Sequence, residues 1–514
     1  MEVKIFDTTL RDGAQTAWVN MTSGIKKDIW LKLGEYWLDK IEAWFAISSP
    51  WDFEAIKYIW ENVSSQVYSL ARANIKDIEA AYEALKNSQN RGIHTFIGTS
   101  PMHREYKLKM TKQEILDSIS KHVVYAREKF SRDIDDIMFS PEDAMRTEKE
   151  FLYEVIKTAI KAWATEINIP DTVWFAQNLE IYELTKDLVD EFWNSVNFSI
   201  HTHNDLGQAV ANSLAFVKAG WTIVQWTIPP AYWERAWNAD LVQIMMNIFK
   251  RPDYYWVKLW DSIDMQKTYE VVSYIANKIW KRIPENYPIL WRDVYNHSSW
   301  IHQDWANKHK STYEIIQPEE IGYRIEHSFI LTNQSWRAWL ENAIKSYFGI
   351  DLKKEKLNEV FEKFKEITSN GLESQVVTMD DVREILKACW VDLTRNIKIE
   401  DYFINLDISN KAKASVKLVI NWEKKYYLSE WVWAVDAIYK AIIKASWIKN
   451  INLVDFSIQA LSANPSAPAK VSITIEYNWQ IFEEFWVNQD IVKASIQAFT
   501  NCLDRISLQN KKSD

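Results

Sequence analysis

Glycine is what this sequence lacks most clearly, because its 514 residues include 10 glycines and 28 tryptophans. Glycine normally makes up about 7% of a protein. The tryptophans stand in turn-like contexts such as SSPWDF, DTVWFA and QSWRAW, where a positive φ or a close backbone approach favours glycine. The pattern predicts that the organism's own protein has glycine at such positions, and that glycine codons have been written as tryptophan.

Other absences exclude whole classes of protein. The two cysteines, Cys389 and Cys502, are far apart and outside any CxxC motif, so we expect no disulfide framework and a reducing, cytoplasmic location. The net charge is −9 and no long basic run occurs, which argues against nucleic acid and anionic membrane as partners. No uncharged apolar run is long enough to span a bilayer, and we expect no signal peptide before the first strand.

Short apolar strands alternate with amphipathic stretches over the first 250 residues. The candidate strands are VKIFDTT, DKIEAWF, QVYSLA, GIHTFIGTS, DDIMFSPED, TEINIPDT, VNFSIHTHND and TIVQWTI, and amphipathic runs between them include 111–130, 147–162 and 177–192. Eight such units predict an α/β fold of the (β/α)8 TIM-barrel type, with a doubly wound open sheet as the alternative. Polar residues cluster where the strands end, which is the face at which barrel enzymes carry their chemistry.

The remaining chain divides into two further regions. We predict a catalytic barrel over 1–265, mostly helical linker subdomains that complete the active site over 266–395, and an α+β regulatory domain over 396–514. The last region contains an internal repeat, since SVKLVINWEKKYYLSEW with VDAIYKAIIKA resembles KVSITIEYNWQIFEEFW with QDIVKASIQAF. Two such units predict a pseudo-symmetric domain that suits ligand binding or dimerisation.

The strongest chemical signal is the segment HTHNDLG at 201–207, which pairs with DTTLRDG at 7–13. His201 and His203 are two residues apart, so both imidazoles lie on one face of a strand. Asp12 adds a carboxylate, and this set suits Zn²⁺, Mn²⁺ or a related divalent ion. Asn238 could add an amide oxygen, although on its own this residue is better explained as a helix N-cap.

Other polar residues have both a functional and a structural interpretation. Arg11 could polarise a substrate carbonyl or simply pair with the neighbouring carboxylate. Glu142 could be an acid near the site or a helix N-terminal charge, and Thr172 could bind a substrate carboxylate or cap a turn. A single loop histidine such as His302 is more often a surface residue, but the two other histidines in the same polar island strengthen the case for acid–base work. Tyr313 is a weaker candidate.

At these motifs the chain resembles a known family. The segments FDTTLRDGAQT, FSPEDAMRTE, INIPDTVWF, HTHNDLGQAVANSLA and HSSWIHQDWANKHKSTYEI, with the C-terminal repeat, resemble the 2-isopropylmalate synthase family, within the wider group of homocitrate and citramalate synthases. The resemblance covers nearly the whole chain. It departs at Ala14, where the family usually has glutamate. The family has glycine where this chain has Trp18, Trp37, Trp44, Trp51, Trp163, Trp174, Trp226, Trp233, Trp237, Trp300, Trp305 and Trp336.

The resemblance implies an acyltransferase that condenses acetyl-CoA with 2-oxoisovalerate and hydrolyses the thioester, in leucine biosynthesis. Citramalate synthase, homocitrate synthase and a non-catalytic metal-binding or regulatory barrel are the alternatives. It implies a homodimer, with leucine as a feedback ligand, and one divalent ion, Mn²⁺ or Zn²⁺, with Mg²⁺ as a further candidate. The implied metal ligands are Asp12, His201, His203 and Asn238; the catalytic residues are Arg11, Glu142, His302 and Tyr313; and the substrate-binding residues are Arg11, Gln15, His94 and Thr172.

Overall fold

The computed structural model describes the chain as two compact units, residues 1–294 with 320–323 and residues 295–319 with 324–514. The structure describes all residues except 1, 17–18, 37, 194, 230–237, 262, 285, 291, 296–308, 324–330, 332–334, 370–376, 392, 394–396, 407–411, 421–422, 432, 447, 462–466, 479 and 514.

The first unit is built on a closed parallel sheet. Its strands are β1 (Glu2–Asp7), β2 (Lys40–Trp44), β3 (Gln66–Arg72), β4 (Arg91–Gly98), β5 (Asp136–Glu142), β6 (Glu166–Asp171), β7 (Asn197–Thr202) and β8 (Ile223–Trp226), with β9 (Lys258–Leu259) added outside β1. Each strand is parallel to its neighbour, and β1 pairs with both β2 and β8. The pairing closes the barrel, so the predicted TIM-barrel class is confirmed and the open sheet is excluded.

Helices follow the strands in alternation. They are α1 (Ser23–Gly34), α2 (Pro50–Glu61), α3 (Ile75–Leu85), α4 (Lys112–Lys129), α5 (Lys149–Lys161), α6 (Asn178–Phe192), α7 (Ala209–Ala219), α8 (Leu241–Lys250), α9 (Pro252–Tyr255) and α10 (Thr268–Ile279). Local sequence sets their starts. At α4, Thr111 and Glu114 form a capping box, in which each side chain accepts a hydrogen bond from the other residue's backbone N–H.

Buried charges close the amino-terminal end of the barrel, opposite the predicted site. Lys40, at the start of β2, donates to Asp136 at 2.6 Å and to Glu166 at 2.5 Å. Burial would lower the pKa of Lys40, but the two carboxylates outweigh it and the pKa is raised. A fully paired buried charge of this kind holds β2, β5 and β6 in one arrangement.

The second unit contains a helical part and the repeat. The helices α11 (Arg337–Phe348), α12 (Lys354–Ser369) and α13 (Met379–Ala388) share one apolar core. The repeat then gives β10 (Ile397–Leu406), β11 (Ala412–Ile420), β12 (Glu423–Trp431) and α14 (Ala434–Ser446), followed by β13 (Ile451–Ala460), β14 (Ala469–Tyr477), β15 (Gln480–Asn488) and α15 (Ile491–Ser513). Each half is an antiparallel three-stranded sheet and a helix, so the predicted repeat is confirmed.

Buried ion pairs tie α13 to the C-terminal repeat. Arg383 on α13 donates to Asp504 on α15 at 2.9 Å, and both side chains are almost fully buried. Gln497 and Asn501 on α15 donate to Asp380 on α13. The predicted domain bounds remain predictions, but a cut at residue 396 would remove the partner of a buried guanidinium.

We therefore expect Asp504→Ala to destabilise the second unit by about 3–5 kcal/mol, since it leaves Arg383 buried without its main counter-charge. Thermal and denaturant unfolding of the full chain measure this loss. The exposed pair of Lys363 and Glu366 gives a matched control, because Glu366→Ala should change stability by less than about 1 kcal/mol. Equal losses in the two variants would contradict the structural role of the Arg383 pair.

In the described parts of the chain, no helix combines the length and the apolar character that crossing a membrane requires.

Candidate active site

The carboxyl ends of the barrel strands surround a cavity of about 400 Å³. Eight of the residues predicted for the site line it: Arg11, Asp12, Gln15, His94, Glu142, Thr172, His201 and His203. They come from segments at the ends of β1, β4, β5, β6 and β7, which the barrel brings to one face. Parallel strands place their carboxyl ends together, so the closed sheet itself assembles the site.

Asp12, His201 and His203 form a compact cluster in this cavity. One ligand atom from each lies within 4.8 Å of the others, and all three residues are buried. The Nε2 atom of His201 is 2.9 Å from a carboxylate oxygen of Asp12. Asn238 pairs with His203 through an isolated backbone bridge, and its side-chain amide donates to the Asp12 carboxylate. The predicted fourth ligand is therefore beside the cluster.

The cluster favours an ionised carboxylate. Burial would raise the pKa of Asp12, but the Arg11 guanidinium, 2.6 Å away, and the two imidazoles hold that pKa well below its usual range. An anionic oxygen beside two imidazole nitrogens is the donor set that Zn²⁺ and Mn²⁺ accept. The Nδ1 atom of His201 is also buried without a hydrogen-bond partner among the described residues. The residues present thus fit one divalent ion.

Glu42 is a site residue that the sequence analysis missed. It lies in the middle of β2, where its carboxylate accepts from Arg11 Nε at 2.5 Å and contacts His94 Nδ1 at 2.6 Å. Burial would raise its pKa, but Arg11 and His94 lower the pKa to about 2. A single glutamate in a strand carries no motif, and only the pairing of distant strands brings it to Arg11.

A chain of hydrogen bonds continues from Glu42 across the barrel. His94 Nε2 lies 2.6 Å from the hydroxyl of Ser140, which donates to Asn168 at 3.1 Å, and Asn168 donates to Ser199 at 3.0 Å. All these side chains are buried. Both ring nitrogens of His94 therefore have partners, which fixes the ring at the cavity wall and supports a positioning role beside its predicted substrate contact.

Glu142 ends β5 and Thr172 follows β6. The Thr172 hydroxyl accepts from the backbone N–H of Asp143, in the segment after β5, at 3.0 Å, and Thr172 also lines the cavity. Gln15 is exposed at the cavity mouth. These three residues line the cavity together with the Asp12 cluster.

The cavity of the first unit does not test the roles predicted for His302 and Tyr313. His302 falls outside the described residues. Tyr313 belongs to the second unit and is 42% exposed. Their roles remain predictions.

An eight-stranded parallel barrel with a carboxylate–imidazole cluster at its carboxyl face defines a barrel enzyme with a candidate metal centre. Comparison with known families agrees with this class. Residues 2–275 match the family described as HMGL-like, residues 289–371 match the homocitrate synthase post-HMGL domain-like family, and residues 376–507 match the LeuA allosteric (dimerisation) domain.

The whole-chain relatives are more specific. The chain is 38% identical to a 2-isopropylmalate synthase of Aquifex aeolicus over 98% of this chain and 96% of the relative. It is 36% identical to that of Oceanobacillus iheyensis, over 99% and 98%, and 36% identical to that of Pyrococcus furiosus, over 98% and 99%. The chain belongs to the 2-isopropylmalate synthase family of acyltransferases, and the predicted family is confirmed over its citramalate, homocitrate and non-catalytic alternatives.

Proposed function

We propose that this protein condenses acetyl-CoA with 2-oxoisovalerate and hydrolyses the resulting thioester to 2-isopropylmalate and CoA. The observation that carries the proposal is that Arg11, the Asp12 cluster and Glu142 line the same cavity. A carbonyl substrate held there would have both the Arg11 guanidinium and the Glu142 carboxylate in the cavity that encloses it. This is the charge arrangement that a condensation between a carbonyl and a carbon acid requires.

The carbonyl side of the reaction uses Arg11. A divalent ion held by Asp12, His201, His203 and Asn238 would act as a Lewis acid toward the 2-oxo acid. Glu42 orients the guanidinium of Arg11, so that its remaining N–H groups can donate to the ketone oxygen as negative charge develops there. Thr172 would bind the substrate carboxylate. Gln15 would bind the substrate atoms nearest the mouth of the cavity.

The other half of the reaction removes a proton from the methyl group of acetyl-CoA. That carbon then bonds to C2 of the 2-oxo acid, the ketone oxygen takes up a proton, and water cleaves the thioester to release the CoA thiol. Glu142 is supported as an ionised carboxylate in this step because Lys107 donates to it at 2.7 and 2.8 Å. His302 is the family-matched base and Tyr313 its assistant.

The C-terminal repeat supports a homodimer, since residues 376–507 match a dimerisation domain. We propose leucine as its feedback ligand, and Mn²⁺ or Zn²⁺ as the resident ion, with Mg²⁺ as a further candidate.

A panel of 2-oxo acids tests the assignment. With acetyl-CoA and a free-thiol assay, we expect kcat/KM for 2-oxoisovalerate to exceed that for pyruvate and 2-oxoglutarate. Mass spectrometry of the product should show the branched seven-carbon hydroxy diacid. A wide preference for pyruvate would instead make the protein a citramalate synthase.

A further inference from the structure

A π-helix after β4 brings two basic residues to the cavity. It spans His103–Leu108 and ends at Lys109, whose φ is +55°. Both His103 and Lys107 line the cavity. π-Helical turns are rare and occur frequently at functional sites, so the residues that this turn presents are candidates for a role in the reaction.

Several contacts fix the turn against the barrel. Arg104 forms two hydrogen bonds to Glu148, at 2.8 and 3.0 Å, and donates to the carbonyl of Thr99 at 3.1 Å. His103 lies directly on Gly98, where a Cβ atom would come within 2.8 Å of the His103 Cβ. Only glycine permits this close approach, so His103 can take this position because β4 has glycine at residue 98.

The basic residues of this turn converge on one carboxylate. Lys107 donates to both oxygens of Glu142, at 2.7 and 2.8 Å, and His103 Nδ1 lies 3.5 Å from one of them. The neighbouring Asp143 is paired with Arg146 at 2.6 Å. Glu142 therefore faces the Lys107 ammonium and the His103 ring, while Arg146 pairs with the next carboxylate along the chain.

We propose that Lys107 and His103 are positioning residues that hold Glu142 as an oriented, ionised carboxylate at the cavity mouth. This inference rests on the proposed function, in which Glu142 acts as an anion. Burial would raise the pKa of Glu142, but hydrogen bonds and charge from His103 and Lys107 lower it. Removing one cation should therefore raise that pKa and move the acidic limb of the pH–rate profile to higher pH.

The test compares Lys107→Met with Lys112→Met. Lys107 and Lys112 are exposed to the same degree, 50% and 49%, but Lys112 pairs with Glu148. We expect Lys107→Met to move the acidic limb of kcat/KM upward by about one pH unit, as the loss of one nearby opposite charge predicts, and Lys107→Arg to restore it. Lys112→Met should leave it in place.

An unchanged limb in Lys107→Met, or an equal shift in Lys112→Met, would overturn the inference. A wild-type chain that is inactive with every 2-oxo acid would overturn the proposed function instead. In that case ¹³C-carboxyl titration of Glu142, assigned by its disappearance in Glu142→Gln, decides the inference by the same upward shift in Lys107→Met.

A second, independent observation concerns the tryptophans. Of the ten described non-glycine residues with positive φ, five are tryptophans: Trp163, Trp174, Trp256, Trp280 and Trp390. Side chains with a Cβ disfavour this conformation, and a bulky residue there is a clear outlier. Four of the five are also more than two-thirds exposed, so packing of the indole does not explain their presence.

Four of the five, Trp163, Trp256, Trp280 and Trp390, follow the end of a helix, and all but Trp256 share one pair of hydrogen bonds. After α10, the N–H of Trp280 donates to Asn277 and that of Lys281 to Ala276, at 3.4 and 3.0 Å. The same pair of bonds surrounds Trp163 after α5 and Trp390 after α13. This is the Schellman ending, in which the left-handed residue is usually glycine.

We infer that the protein made by its organism has glycine at these five positions. The inferred glycine at 174 would also remove an indole whose ring lies 5.8 Å from that of His203, beside the candidate metal ligands. Mass spectrometry of peptides from the protein isolated from its own organism tests this, and glycine masses at 163, 280 and 390 are expected. Tryptophan at those positions would overturn the inference.

Discussion

Replacing His203 by alanine is expected to abolish both metal retention and turnover. His203 lies with Asp12 and His201 in a buried cluster whose ligand atoms are within 4.8 Å of one another. The remaining ligands, Asp12, His201 and Asn238, hold a divalent ion more weakly, and the Lewis-acid contribution of several kcal/mol is lost. The rate should therefore fall at least about 10³-fold. Metal content after gel filtration and kcat/KM for the thiol release measure the two effects.

His122→Ala is the matched control. This half-buried histidine lies on α4, on the outside of the barrel, where it bonds to Ser118. The control should keep its metal and its rate. Full activity in His203→Ala, with metal retained, would show that the cluster is not the catalytic metal centre.

Replacing Arg11 is expected to give the second large loss of activity. We expect Arg11 and Glu42 to act together in the reaction. Arg11→Gln should lower kcat about 10²–10³-fold, because a preorganised donor to the developing oxyanion is lost. It also leaves the buried Glu42 without its cation. Glu42→Gln should lower kcat in the same way, since the guanidinium loses the acceptor at 2.5 Å that orients it.

A double-mutant cycle separates this pairing from two independent effects. If the residues act together, the double variant should be little slower than Arg11→Gln alone. The exposed Arg72, which pairs with the buried Asp77, provides the control, and Arg72→Gln should leave kcat unchanged. Multiplicative losses in the double variant would contradict a shared role.

Most of the barrel was predictable from the sequence because its strands are short apolar runs separated by amphipathic helices. The predicted strand QVYSLA, for example, corresponds to β3 at Gln66–Arg72. The metal cluster was predictable for a local reason, since the spacing of His201 and His203 places both on one strand face. Asp12 was predicted as a third ligand because the motif DTTLRDG, at residues 7–13, contains it.

The features that the sequence could not predict depend on contacts between residues far apart in the chain or on an unusual backbone conformation. Glu42 reaches Arg11 only through the pairing of β1 and β2, and no motif marks it. Lys107 faces Glu142 because of a π-helical turn that has no sequence signature. The burial of Arg383 against α15 likewise follows from tertiary packing, which the apolar periodicity of α13 does not reveal.

The most direct test of the account is release of CoA thiol by the purified full-length protein, measured with and without 2-oxoisovalerate and before and after metal chelation. The account predicts rapid thiol release that requires the 2-oxo acid, stops on chelation and returns when Mn²⁺ or Zn²⁺ is restored. Thiol release that is independent of the 2-oxo acid, or that survives complete metal removal, would contradict it.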